Sequence, residues 1–88
     1  MRKVLHSRLN IIEEAVNEHK KGNLEKSEYL YRQAISKYPS NTKLYYLIGA
    51  NLVKQNKNDE AISFLNQGLQ ASPKDTEILE ALGIALLK

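Results

Sequence analysis

No cysteine occurs in the 88 residues, so the chain has no disulfide framework, no thiol nucleophile and no cysteine-based zinc site. It must hold together by apolar burial alone. No apolar run of membrane-spanning length is present, and the longest near-continuous stretch, Ile78 to Leu87, is too short and interrupted to cross a bilayer. Membrane insertion is therefore not expected. Neither sign of charge dominates: 13 Lys and Arg against 10 Asp and Glu give +3, far from the charge density of a dedicated nucleic-acid binder. Arg2, Lys3, Arg8, Lys20 and Lys21 make the amino-terminal part locally basic, but Glu13, Glu14 and Glu18 interrupt them and no stacking aromatic lies among them. Met1-Arg2-Lys3 is followed by no apolar run of signal-peptide length before Arg8 and Asn10, so a cytosolic protein is expected.

Catalytic constellations are missing too. The four glycines, Gly22, Gly49, Gly68 and Gly83, are isolated, so there is no phosphate-cradling loop. His6 and His19, the only histidines, stand thirteen residues apart without carboxylates arranged as co-ligands, and both are expected as surface residues. No serine lies in a nucleophile-elbow context, and Glu13-Glu14 and Glu77 with Glu80 are expected as solvated faces or caps. The expectation is a non-enzyme with no cofactor and no metal.

The prolines are only two, Pro39 and Pro73, and they lie 34 residues apart. Shifting the chain by 34 also aligns Asn17 with Asn51, Lys20 with Lys54, Gln33 with Gln67, Ala15 with Gly49, Ser27 with Ala61 and Ala34 with Gly68. A further shift carries Thr42, Gly49, Leu52 and Lys54 onto Thr76, Gly83, Leu86 and Lys88. The chain therefore reads as one domain over residues 1–88, with units at about 8–41 and 42–75 and a partial unit at about 76–88.

Apolar residues within each unit recur with helical spacing: Leu5, Leu9, Ile12 and Val16; Ser27, Tyr31, Ala34, Ile35 and Tyr38; Tyr45, Ile48, Gly49 and Leu52; Ala61, Ile62, Leu65, Gly68 and Leu69; Leu79, Leu82, Gly83 and Leu86. Five antiparallel helices are expected, spanning about 4–21, 24–38, 42–55, 58–71 and 76–87. Gly22 and Asn56 suit the left-handed residue that ends a helix, and Asn23, Asn41, Asn58 and Asp75 are candidate caps for the helices that follow. Tyr29, Tyr31, Tyr38 and Tyr45 are expected at helix-packing positions rather than on a base-stacking platform.

This pattern resembles the tetratricopeptide repeat, whose 34-residue helix-turn-helix units stack into a right-handed superhelix. The strongest section runs from Tyr45-Tyr46-Leu47-Ile48-Gly49 through Asn58-Asp59-Glu60-Ala61-Ile62 to Leu69-Gln70-Ala71-Ser72-Pro73. In it the family's large aromatic, Leu-Gly pair, small residue and closing proline correspond to Tyr45, Ile48-Gly49, Ala61 and Pro73. Ile11, Glu14 and Glu18 depart from the pattern, which suggests a first helix acting as a terminal cap with one face in solvent. A related family with 35-residue units reads single-stranded RNA, but the lag of 34 with prolines in register favours the tetratricopeptide reading.

The resemblance implies an all-α short solenoid of about two and a half repeats that works by protein–protein contact. Its groove positions fall on Leu9, Ile12, Val16, His19 and Lys20, on Lys43, Tyr46, Ala50, Val53 and Lys54, and on Glu77, Glu80, Ile84 and Leu87. An apolar floor rimmed by Lys20, Lys43 and Lys54 implies a protein or peptide partner that is apolar or amphipathic and carries some negative charge. Family members that hold the acidic tails of heat-shock chaperones use a clamp of Lys, Asn and Arg. At those positions stand Ile12, Val16, Leu47, Ala50, Glu77 and Ala81, so that clamp is not expected. The last helix is apolar beyond the stripe Leu79, Leu82 and Leu86, and Ile78, Ala81, Ile84, Ala85 and Leu87 are expected as an exposed, potentially homo-oligomeric surface. The chain then reads either as the front of a longer array or as a self-assembling element.

Overall fold

A computed structural model describes residues 11–88. Among these the backbone forms five helices and no strand: α1 Ile11–Lys20, α2 Leu24–Lys37, α3 Thr42–Lys54, α4 Asn58–Ala71 and α5 Thr76–Leu87. The last four lie within one residue of the spans expected from periodicity. The expected start of the first helix, with Leu5 and Leu9, lies outside the described residues, as does His6.

The turns show why the helices stop where they do. Gly22 (φ 90°) and Asn56 (φ 65°) take the left-handed conformation, which costs glycine nothing and asparagine little. Asn41 Oδ1 accepts from the Lys43 amide at 3.2 Å, and Asp75 Oδ1 accepts from the Ile78 amide at 3.1 Å, so both cap as expected. Asn23 holds the cap position of α2 without a side-chain cap bond; its Nδ2 donates instead to Glu18 Oε1 at 2.7 Å. Asn58 is not a cap. The Lys57 amide turns back to the Leu52 carbonyl at 2.8 Å, which makes Lys57 the cap residue and Asn58 the first residue of α4.

Successive helices pack as neighbours, and α5 lies against both α4 and α3. Small residues set how closely they approach. In the first pair Ala15, Ser27 and Ala34 are buried around Tyr31, and Ser27 Oγ donates to the Ala15 carbonyl at 2.7 Å. The second pair is tighter. A Cβ placed on Gly49 would lie 2.5 Å from Leu65 Cδ2, and one on Gly68 would lie 2.9 Å from both Tyr45 Cβ and Ile78 Cδ1. Each helix thus puts a glycine under a large side chain of the other.

A buried polar group joins the two pairs. Asn51 is fully buried; its Nδ2 donates to the Leu24 carbonyl at 3.1 Å and its Oδ1 accepts from Gln55 Nε2 at 2.7 Å. Gln55 also donates to Glu28 at 3.0 Å, and Arg32 bridges Glu28 and Glu60 at 2.8 Å each while lying 5.1 Å above the Phe64 ring. Tyr31 and Tyr45 are core residues as expected, whereas Tyr29 and Tyr38 are exposed.

Two further expectations are corrected. Glu18 is buried rather than a solvent-facing substitute for an aromatic, because Asn23, Lys21 and Lys26 surround its carboxylate. In α5 the faces are exchanged: Ile78, Ala81 and Ala85 are buried, while Leu79 and Leu86 are exposed together with Ile84 and Leu87. The contacts of α5 with α3 and α4 run through the positions that correspond, one unit earlier, to Leu44, Leu47 and Asn51. Of the five residues expected as an oligomer surface, Ile84 and Leu87 alone remain exposed.

Glycines on opposite sides of this packing should behave oppositely. Gly49→Ala overfills the Leu65 contact and should lower stability by about 1–3 kcal/mol. Gly83, with nothing within 4 Å of where its Cβ would stand, should gain up to about 1 kcal/mol as Gly83→Ala from helix propensity. Thermal melts of the two variants check the contrast.

Candidate functional site

The first helix of each unit supplies one wall of a shared cleft. His19 from α1, Tyr46, Ala50, Val53 and Lys54 from α3, and Glu77, Glu80, Ala81 and Ile84 from α5 line an open space of about 260 Å³. Helical spacing explains the set: Tyr46, Ala50, Val53 and Lys54 repeat at three to four residues, as do Glu77, Glu80, Ala81 and Ile84. The opposite sides of α3, through Tyr45, Ile48, Gly49 and Leu52, are committed to the core. The floor is therefore apolar and the rims are charged.

The expected groove residues are only partly brought together. Leu9 lies outside the described residues. Ile12 lines a separate depression with Ile11, Lys37, Tyr38, Pro39, Ser40 and Asn41, and Val16 packs half-buried against the core. Lys20 is exposed and does not border the cleft, and Leu87 points to solvent beyond it. Lys43 is engaged rather than unpaired: its Nζ lies 3.3 Å from Glu77 Oε1 and 5.7 Å from the Tyr46 ring centroid. Lys43 and Glu77 are 34 residues apart, the same position in successive units.

The electrostatics differ from an all-lysine rim. Lys54 and His19 stand on one side, and Glu80 faces the cleft from α5. Glu77 and Glu80, expected both as solvated residues and at groove positions, border the cleft and are exposed. Burial first, and the Lys54 ammonium second, hold the His19 imidazole below its ordinary value, which favours the neutral ring. Its Nδ1 is 3.5 Å from Asn51 Nδ2, so the cleft wall touches the buried polar group that joins the helix pairs. His19, expected both as a surface histidine and at a groove position, lines the cleft half-buried. Its surroundings include Asn51 of α3, 32 residues on in the chain.

Among the described residues no group of three or more His, Asp or Glu side chains is placed to hold a metal ion, and no helix is long and apolar enough to cross a membrane. The arrangement offers burial for apolar side chains and charge at two rims, and that combination suits binding to polypeptide.

Comparison with known proteins agrees with this geometry. The family model described as tetratricopeptide repeat matches residues 18–85. The solution NMR structure of a tetratricopeptide repeat domain protein from Salinibacter ruber superposes with a TM-score of 0.75 at 20% identity, covering 84% of this chain and 81% of that one. That likeness establishes the fold as an all-α helical repeat solenoid. No curated protein matches the chain.

The depressed His19 value is open to direct measurement. An NMR titration should place its midpoint below that of an ordinary imidazole, and Lys54→Met should raise it only part of the way, because burial is the larger cause. The sign follows for stability: an unfolded chain takes up the proton first as pH falls, so this histidine's contribution is present above the ordinary imidazole value and is lost as pH falls through its own lower midpoint.

Proposed function

The chain belongs to the tetratricopeptide repeat family, whose members are generally protein–protein interaction scaffolds and typically not enzymes, and on that premise we propose a non-catalytic cytosolic scaffold that captures an apolar or amphipathic peptide or helix in its concave cleft. One observation carries the reading: Tyr46, Ala50, Val53, Ala81 and Ile84 from two successive units form one apolar floor that is left open. Apolar residues that converge from separate helices have no packing partner on the open side, and a bound helix would supply it.

Charge refines the ligand. Acidic residues of the ligand belong beside Lys54, and the Glu80 side favours a basic or neutral one. Lys43 is already paired with Glu77, so the partner needs less negative charge than three unpaired lysines would call for. The acidic tail of a heat-shock chaperone does not fit, because Ala50, Glu77 and Ala81 occupy positions where a clamp would need cations and amides.

A second reading, self-association through α5, is favoured by the exposure of Leu79, Leu86 and Leu87 on one helix. Such a run of large apolar side chains facing water marks a contact surface.

A screen of amphipathic helical peptides by fluorescence anisotropy tests the first reading. Tyr46→Ala and Val53→Glu should each weaken the best ligand about tenfold or more, and Lys54→Glu should shift preference from acidic toward basic peptides. Unchanged capture by the Tyr46 and Val53 variants would place the binding surface elsewhere.

A further inference from the structure

The outward face of α5 repeats the residue plan of the face of α3 that receives α4. A shift of 34 carries Tyr45, Ile48, Gly49 and Leu52 onto Leu79, Leu82, Gly83 and Leu86. In α3 all four are buried, with Leu65 seated where Gly49 lacks a Cβ and with Gly68 under Tyr45. In α5 the corresponding notch is empty: nothing lies within 4 Å of the Gly83 Cβ position, and Leu79 and Leu86 are 45% and 64% exposed. Helical spacing groups Thr76, Leu79, Leu82, Gly83, Leu86 and Leu87 on one side without an ionisable side chain, while Glu77 and Glu80 border the concave cleft on another. The face therefore has the form of a helix-accepting surface.

The contact between α3 and α4 also specifies what such a surface accepts. The partner must bring a large side chain over the glycine and a small residue over the large side chain one turn earlier, as Leu65 and Gly68 do. Helix α5 itself carries both elements, Leu79 and Gly83, one turn apart. Two copies of α5 turned antiparallel about a two-fold axis lay Leu79 of each over Gly83 of the other, so one surface serves as both knob and notch. The same arrangement opposes the two helix dipoles.

We propose that the chain forms an isologous dimer with a second copy of itself, α5 packed antiparallel on α5, with Leu79 of each copy seated on Gly83 of the other. The proposal rests on the self-association reading above and is independent of the cleft. It leaves the concave cleft of both copies open, since Glu80 and Ile84 lie off the paired face.

Sedimentation velocity of the full chain from about 1 µM to about 1 mM tests it. The unmodified chain should move from monomer to dimer over this range. Gly83→Leu fills the notch, where the Cβ position has no neighbour within 4 Å, and Leu79→Glu removes the knob; each should weaken the dimer about tenfold or more. Circular dichroism melts identify any variant that fails to fold. Ile84→Glu, in the cleft, should leave the dimer unchanged. A mixed sample, half isotope-labelled, should show nuclear Overhauser effects between Leu79 methyls of one copy and the Gly83 α-protons of the other. A monomer at every concentration overturns both the dimer and the self-association reading. A dimer that survives Gly83→Leu and Leu79→Glu but is lost in Ile84→Glu overturns this register while leaving self-association standing.

Discussion

The reciprocal contact between α3 and α4 is the constraint on which the other helices depend. Gly49 lies under Leu65 and Gly68 lies under Tyr45, so the two backbones approach more closely than any side chain beyond hydrogen would allow. Ile78 of the next unit reaches the same place, with its Cδ1 against Gly68, so the contact that closes one repeat also seats the following one. Repeat arrays have few long-range contacts to fall back on, and a change at one such junction is felt on both sides of it. The first pair meets the same geometric need differently, with Ala15 and Ser27 in place of two close apolar surfaces and a hydrogen bond between them.

From this packing follows the division of each first helix into three sides. In α3 one side meets α4, a second meets the preceding pair through Leu44 and the buried Asn51, and the third opens to the cleft with Tyr46, Ala50 and Val53. In α5 the second side is used by Ile78, Ala81 and Ala85, the cleft side by Glu80 and Ile84, and the side that would meet a following helix is open. Both surfaces proposed to bind, one for a peptide and one for a second copy, are consequences of the same three-sided plan. They lie on different sides of one helix and do not compete.

Much of this was legible in the residues. Helical spacing, the lag of 34 and the prolines in register located four helices to within a residue, and Asn41 and Asp75 cap where expected because their geometry is local. His19, Tyr46, Ala50, Val53 and Lys54, which the resemblance puts at groove positions, line the open space between the first helices of the units. What failed depends on contacts that helical spacing does not encode, some across a single turn and some a full repeat away. Apolar residues occur on every side of α5, so periodicity alone does not set its phase, and the stripe Leu79, Leu82 and Leu86 matches the side of α3 that meets α4. The partner of Lys43 is one full repeat away at Glu77, and the burial of Glu18 depends on Asn23 across a turn. Asn58 lost its cap role to a backbone bond between Lys57 and Leu52 that residue type does not encode.

The most direct test is a solution NMR spectrum with methyl and glycine assignments. The account predicts strong nuclear Overhauser effects from the Leu65 methyls to the Gly49 α-protons and from the Tyr45 β-protons to the Gly68 α-protons. If those glycines instead showed no contact with Leu65 or Tyr45, the interlocked helix pair would be contradicted, and with it the placement of the cleft and of the open face of α5.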